Sequence, residues 1–455
     1  MPDRRPTPRR TGIVSLVAGG LLFLVLGVVA YSSRESHPRT GPTQASHSDN
    51  AVDVLIDAPE VFPAVLALIR AARTEVVLSV YLLGGIAAAP GDPAGIGREI
   101  VDALVERQTA GVSVRVLNTP FRTVPDPRPP AEVFATDLWF HPVFTYAKAQ
   151  GLTILRPAVS KGAIDHTKYL VVDGTDAIFG GMNLADAAAD NHDVMVVVAG
   201  PVAGALRLAF DNQWKLALEA QPSAGSATPS HSPAPATIVQ LVAARNARVA
   251  AGSEHCDVAL YANTLTSHPI GPAIAEGLDA LQEGDRLNVG MLLLTDASMA
   301  KRVIGAHRRK VDVRAMLDPG RAIYGVNCNG SNNAASAGQF DKAGVPIRLF
   351  SASPGAALHM KLFVATPATG DASFGVGSAN WSRSDLERNW EMFGMFRGCR
   401  RAAARLRALL DDDWETRSAP LTAEQRTCYA STSCRAELSR ACDVTMKHSW
   451  LAKQK

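Results

Sequence analysis

Apolar residues recur along this chain with two periods. In "VFPAVLALIRAAR", from Val61, the spacing predicts a helix, and in "EVVLSVYLL", from Glu75, it predicts a strand. "GREIVDALVERQTAGVSVRVL" predicts a helix, a stop at Gly111 and a second strand, and "YAKAQGLTILRP", from Tyr146, repeats that order. The same series occurs further on. "PIGPAIAEGLDALQ" is a helix and "RLNVGMLLL" a strand, followed by "SMAKRVIGAHRRKVDVRAML" and by "FDKAGVPIRLFS" from Phe340. Strand and helix alternate in both halves. The expectation is an α/β protein of two pseudo-twofold-related α/β sandwich lobes, each with a mixed, largely parallel sheet flanked by helices. This is one duplication; a solenoid needs several short repeats.

Low-complexity stretches mark the boundaries. "QPSAGSATPSHSPAPAT", residues 221–237, is a Pro/Ser/Ala linker between a first lobe at 51–220 and a second at 238–413. Residues 34–50 are expected to be a flexible tether. Before them, Ile13 to Ala30 carries no charge, and Arg4, Arg5, Arg9 and Arg10 precede it. Residues 1–33 are therefore a signal peptide or a signal anchor, with the arginines inside and the rest of the chain exported. The catalytic part is then held at the membrane, or secreted if the segment is cleaved. Cys256, Cys328, Cys399, Cys428, Cys434 and Cys442 suit that location as disulfides, in connectivity left open, with three of them in a tail at 414–455. A zinc site is the weaker alternative, because no CxxC occurs. The net charge of +3 does not by itself argue for nucleic acid.

The candidate chemistry is also duplicated. "HTKYLVVDGTDAIFGGMNLADAAADNHDVMVVV" in the first half answers "HMKLFVATPATGDASFGVGSANWSRSDLERNWEMFGMF" in the second. His166 and Lys168 match His359 and Lys361; Gly181 and Asn183 match Gly377 and Asn380; Asp193 matches Glu391. On a strand, residues two apart share a face, so each half presents an imidazole and an ammonium together. Small residues, Gly181, Gly377 and Ser378, allow close approach before each asparagine amide. Two imidazoles, two ammoniums and two amides around one point suit phosphodiester cleavage. One histidine attacks phosphorus, the other handles the proton, and lysines and asparagines stabilise charge on the oxygens. The lysines take a metal's electrostatic role, so neither a metal nor another cofactor is expected. A carboxylate on the second ring nitrogen fixes each tautomer, and Asp193 and Glu391 are the candidates, Asp193 for His166. Asp173, at a turn, is expected to support its hairpin, and His192 to be a bystander.

The pattern His166-x-Lys168-x4-Asp173, followed by a Gly-x-Asn-type strand, resembles the HKD motif of the phospholipase D superfamily. The second copy keeps His359 and Lys361, has Thr366 at the Asp position and a longer hairpin, and continues into "GSANWSRSDLERNWE", which looks like the family's second motif. The resemblance covers roughly residues 51–413. It implies two α/β lobes with the site at their interface, His166 as nucleophile and His359 as general acid. The opening "LIDAPEVFPAVLALIRAAR" looks like the cardiolipin-synthase branch. The implied substrate is a phospholipid, reached through the N-terminal membrane segment, with headgroup hydrolysis or phosphatidyl transfer as the reaction. The alternative is an exported nuclease or exonuclease; a nuclease calls for a basic groove with stacking aromatics, and only 6% of residues are aromatic. A non-catalytic scaffold predicts loss of His or Lys, and both pairs are intact.

Overall fold

The structure, a computed structural model, describes residues 44–84, 95–119, 142–220, 254–322, 326–327, 332–351 and 356–452. The N-terminal apolar segment, the 221–237 linker, the start of the second lobe and Cys328 lie outside these residues. No described helix is long and apolar enough to cross a membrane.

The first lobe runs β1 (Gln44–Ile56), α1 (Asp57–Arg70), β2 (Glu75–Val80), α2 (Gly95–Thr109), β3 (Ser113–Asn118), α3 (Pro142–Ala149), β4 (Thr153–Leu155), β5 (Lys168–Val172), β6 (Asp176–Gly180), β7 (Val194–Ala199) and α4 (Pro201–Glu219). The second runs β8 (Glu254–Asn263), α5 (Ile270–Asp279), β9 (Arg286–Met291), α6 (Ala297–Arg308), β10 (Asp312–Leu317), a β11–β12 ribbon (Arg321–Ala322, Val326–Asn327), α7 (Ala334–Ala343), β13 (Ile347–Phe350), β14 (Lys361–Thr366), β15 (Ser373–Gly377), α8 (Arg383–Glu387), β16 (Glu391–Arg397) and α9 (Arg400–Thr416). β17 (Ser418–Pro420), α10 (Ala423–Ala430) and α11 (Thr432–Ala452) form the tail.

One 15-stranded sheet joins both lobes in the order β17-β13-β10-β9-β14-β15-β16-β8-β1-β7-β6-β5-β2-β3-β4. Reading outward from the β1–β8 pair, each lobe repeats the other strand for strand, so the duplication is a pseudo-twofold through that pair. The sheet is mixed, as expected, but its parallel part is narrower than expected. Parallel pairing is confined to the outer strands β2-β3-β4 and β9-β10-β13. The inner strands β5, β6, β7 and β14, β15, β16 pair antiparallel because hairpins, not helical crossovers, connect them.

β1 corrects the expected tether. Gln44 to His47 pair with Tyr261 to Val258, and Ala51 to Ile56 pair with Ala199 to Val194. The strand begins well inside the 34–50 stretch because β8 and β7 offer it partners on both sides.

Alternation along the strands feeds two layers. In β5, Leu170 and Val172 enter the first-lobe core under α1, α2 and α3. Tyr169 and Val171 face the other side, where α4, α9 and Phe179, Phe374 and Phe396 build a core shared by both lobes. Cys256 on β8 is bonded to Cys399 at the start of α9, and Cys428 to Cys434 between α10 and α11.

Candidate active site

The two HxK segments meet because each is stitched to the opposite lobe. The residue before each histidine bridges the residue before the other lobe's carboxylate: Asp165 with Trp390, and Leu358 with His192. His166 N donates to Trp390 O at 2.9 Å, and His359 N to His192 O at 2.8 Å. Asn389 and Asn191, two residues before each carboxylate, brace the same crossings by accepting from Ile164 N at 3.2 Å and Ala357 N at 3.4 Å.

This stitching crosses the carboxylates. His166 Nδ1 bonds Glu391 Oε1 at 3.0 Å, and His359 Nδ1 bonds Asp193 Oδ2 at 2.6 Å. Asp193 does not hold His166, as had been expected; each histidine takes its orienting carboxylate from the other half. The reason is topological. β7 and β16 run antiparallel to β6 and β15, and their starts, with Asp193 just before β7 and Glu391 opening β16, lie across the pseudo-twofold from their own histidines. In both rings the carboxylate takes Nδ1 and leaves Nε2 to other partners; Lys361 Nζ lies 3.3 Å from His359 Nε2.

The remaining predicted residues fall into supporting places. Ser378 Oγ donates to Glu391 Oε2 and accepts from Met392 N, which holds the carboxylate plane. A Cβ on Gly181 would stand 2.3 Å from Asp193 Oδ1, and one on Gly377 2.2 Å from Met392 O, so both positions need glycine. Lys168 Nζ donates to His166 O at 2.5 Å, and Lys361 Nζ to His359 O. Asn183 and Asn380 are buried, and the amide oxygen of each lacks a hydrogen-bond partner among the described residues.

Besides Asn191 and Asn389, two residues next to the motifs were missed in the sequence. Tyr81, at the end of β2, sets its ring edge-on to His166 at 4.9 Å and beneath Lys168 Nζ at 5.3 Å. Asp385, on α8, accepts from Asn380 N at 3.1 Å, Asn380 Nδ2 at 2.7 Å and Asn389 Nδ2 at 2.6 Å. Comparing the two repeats offers a signal for it: five residues after Asn183 stands Ala188, whereas five after Asn380 stands Asp385.

Burial dominates the electrostatics. It pulls Lys168 down to about 7 and lowers Lys361. Burial, then the facing lysine of its own motif, brings His359 to about 4 and lowers His166 strongly. Burial raises Glu391 to about 7 and Asp385 to about 6. Two buried lysines side by side favour an anion near them. His166, Asp385 and Glu391 bring polar atoms within 4.8 Å of one another. Those atoms are engaged with each other and with Ser378, Asn380 and Asn389, which makes the group a hydrogen-bonded network.

Asp173 is a structural residue. It and Gly174 have φ of 52° and 66°, the left-handed pair of a tight hairpin turn. Its carboxylate accepts from Thr74 N at 2.8 Å, Arg73 N and Glu75 N at 3.1 Å, and Thr74 Oγ1 at 2.9 Å. In the second lobe the bond runs the other way. Asp285, in the loop before β9, accepts from Ala368 N of the hairpin at 2.9 Å and from Gln282 N at 2.8 Å. The same two loops are thus tied in both lobes, and Asp285 explains how Thr366 is tolerated.

His192 is no bystander. Its ring bridges Asp57 of α1 at 2.9 Å and Asp413 of α9 at 2.8 Å, stacked 5.6 Å from Phe350. Burial opposes its charge, yet the hydrogen bonds to Asp413 and Asp57 outweigh it and raise the imidazole to about 9. It is an imidazolium clamp between the lobes.

The family model for the cardiolipin synthase, PLD-like domain matches residues 65–214 and 278–414, which include both HxK segments, both asparagines and both carboxylates. The chain belongs to this family. Within the phospholipase D superfamily it stands in the cardiolipin synthase-like branch, an enzyme of the phosphatidyltransferase and phosphodiesterase class. It is 24% identical over 378 residues to cardiolipin synthase A of Pseudomonas syringae pv. syringae (strain B728a), covering 80% of this chain and 68% of that protein. Against cardiolipin synthase A of Pseudomonas fluorescens (strain SBW25) it is 25% identical over 200 residues, 41% of this chain and 37% of that one. The fold is shared with phosphatidylserine synthase of Haemophilus influenzae Rd KW20, at a TM-score of 0.59 and 11% identity, over 89% of this chain and 95% of that chain.

Proposed function

We propose that the protein is a phosphatidyltransferase or phospholipase D-type phosphodiesterase acting on phospholipid through a phosphohistidine. The observation that carries this is the crossed pair of buried His–carboxylate bonds, with a lysine two residues after each histidine. Glu391 on Nδ1 directs the His166 Nε2 lone pair at phosphorus. The N–P bond forms as the bond from phosphorus to the leaving alkoxide breaks. His359, held at about 4 in the free site, takes up a proton as the phosphodiester anion binds beside it and delivers that proton to the leaving oxygen. Neutral His359 then takes the proton of an alcohol or of water, whose oxygen displaces His166 and restores both rings. Lys168 and Lys361 stabilise the charge on the non-bridging oxygens, and no metal takes part. In this reading the lobes work on the extracytoplasmic side, held near lipid by the N-terminal apolar segment. The nuclease alternative is less favoured, since the family and the two relatives named above carry names of cardiolipin synthesis.

The test is to incubate the full chain in vesicles with labelled phosphatidylglycerol, and separately with single-stranded DNA, both in EDTA. Lipid turnover with an acid-labile phosphoenzyme on His166 is expected. Turnover of DNA alone would overturn the lipid reading, and label on His359 would reverse the roles of the histidines.

A further inference from the structure

The duplicated site is not chemically symmetric. Among the described residues, the position beside His359 and Asp193 that matches Asp385 is Ala188, which carries no carboxylate. On the other side, Asp385 lies within 4.8 Å of the polar atoms of both His166 and Glu391. Both carboxyl groups are buried, Asp385 at 5% exposure and Glu391 at 0%. The hydrogen bonds described for Asp385 come from Asn380 and Asn389 amides, and those for Glu391 from Ser378 and His166. Lys168 Nζ donates to His166 O, and Lys361 Nζ donates to His359 O and lies 3.1 Å from His359 Nδ1; no described hydrogen bond joins either ammonium to Asp385 or Glu391. Two carboxylates this close in a dry volume, with no ammonium bonded to either, repel each other strongly, and one proton between them relieves that repulsion.

We infer that Asp385 is a positioning residue that shares one proton with Glu391, so that His166 faces a singly charged carboxyl pair while His359 faces a lone carboxylate. The upward shifts of both acids agree with this. The arrangement gives Asp385 two tasks. It orients the Asn380 amide, and it sets the pH at which Glu391 becomes able to fix the His166 tautomer. The groups that face the pair are His166 and Lys168 from the first lobe and Lys361 from the second. The inference rests on the phosphohistidine reading only for its kinetic consequence.

Asp385→Asn tests it in the full chain. The asparagine oxygen still accepts from Asn380, but its amide nitrogen then faces the Asn389 Nδ2 donor, so turnover at the pH optimum is expected to fall by about tenfold, well short of the loss in Asp385→Ala. Without the second acid, Glu391 ionises more easily, and the low-pH limb of kcat/KM is expected to move down by about one pH unit. An unchanged limb in an active variant would overturn the inference, as would a loss of activity equal to that of Asp385→Ala with no change in pH profile. Infrared difference spectra of wild type minus Asp385→Asn at pH 7 give a readout independent of activity. A protonated-carboxyl stretch present only in the wild type is expected, and its absence overturns the shared proton. If the wild type turns over no phospholipid while the band is present, the function proposal fails and the shared proton stands.

Discussion

At the scale of single residues, two ring nitrogens are held by two carboxylates from opposite lobes, and the proposed reaction depends on them. Glu391→Gln keeps the volume but can present its amide nitrogen to His166 Nδ1, which selects the wrong tautomer. Turnover is expected to fall by about 10³–10⁴-fold with melting behaviour retained, as measured by lipid turnover beside circular dichroism. Gly181→Ala places a methyl against Asp193 Oδ1 and pushes that carboxylate off His359, so a large loss in kcat is expected from a residue that never touches substrate. Because His166 and Glu391 are both dry, the wild-type acid limb should lie near neutrality, where Glu391 at about 7 loses its proton. A limb near pH 4 would contradict this.

Among the elements, the hairpins and the loops before β2 and β9 are tied by one carboxylate per lobe, placed on opposite partners. Asp173→Ala and Asp285→Ala should each cost about 1–3 kcal/mol in urea unfolding, since each strands backbone donors. Thr366→Asp should add little, because Asp285 already makes the second-lobe tie. Reading Asp173 as hairpin support was possible from the Asp-Gly turn alone. Its partner Asp285 was not legible, because nothing local in "EGDRL" shows which loop it will reach across the sheet.

For the whole molecule, His192 ties α1 of one lobe to α9 of the other and passes its carbonyl to His359 N. Its imidazole is raised from 6.5 to about 9 on folding, so the clamp contributes fully below pH 6.5 and is lost as pH rises through 9. Such a shift corresponds to on the order of 3 kcal/mol. The gap in melting temperature between wild type and His192→Gln should be widest near pH 6 and close above pH 9; a constant gap would show that packing on Phe350, not charge, does the joining.

The sequence by itself determined the duplication, the α/β class, the mixed sheet and the pairs of His and Lys that the two lobes bring together, since strand and helix periods and an HxK repeat are local properties. Asn191, Asn389 and Asp385 were within its reach by comparing the repeats, but Tyr81 was not. Tertiary structure decided which carboxylate serves which histidine, how much of the sheet is parallel, and that β1 begins inside the presumed tether. Those outcomes depend on pairings between strands far apart in the chain. Spacing along one strand shows the face a residue takes; only the register across the pseudo-twofold shows what it meets there, and here it turned Asp193 from His166 to His359.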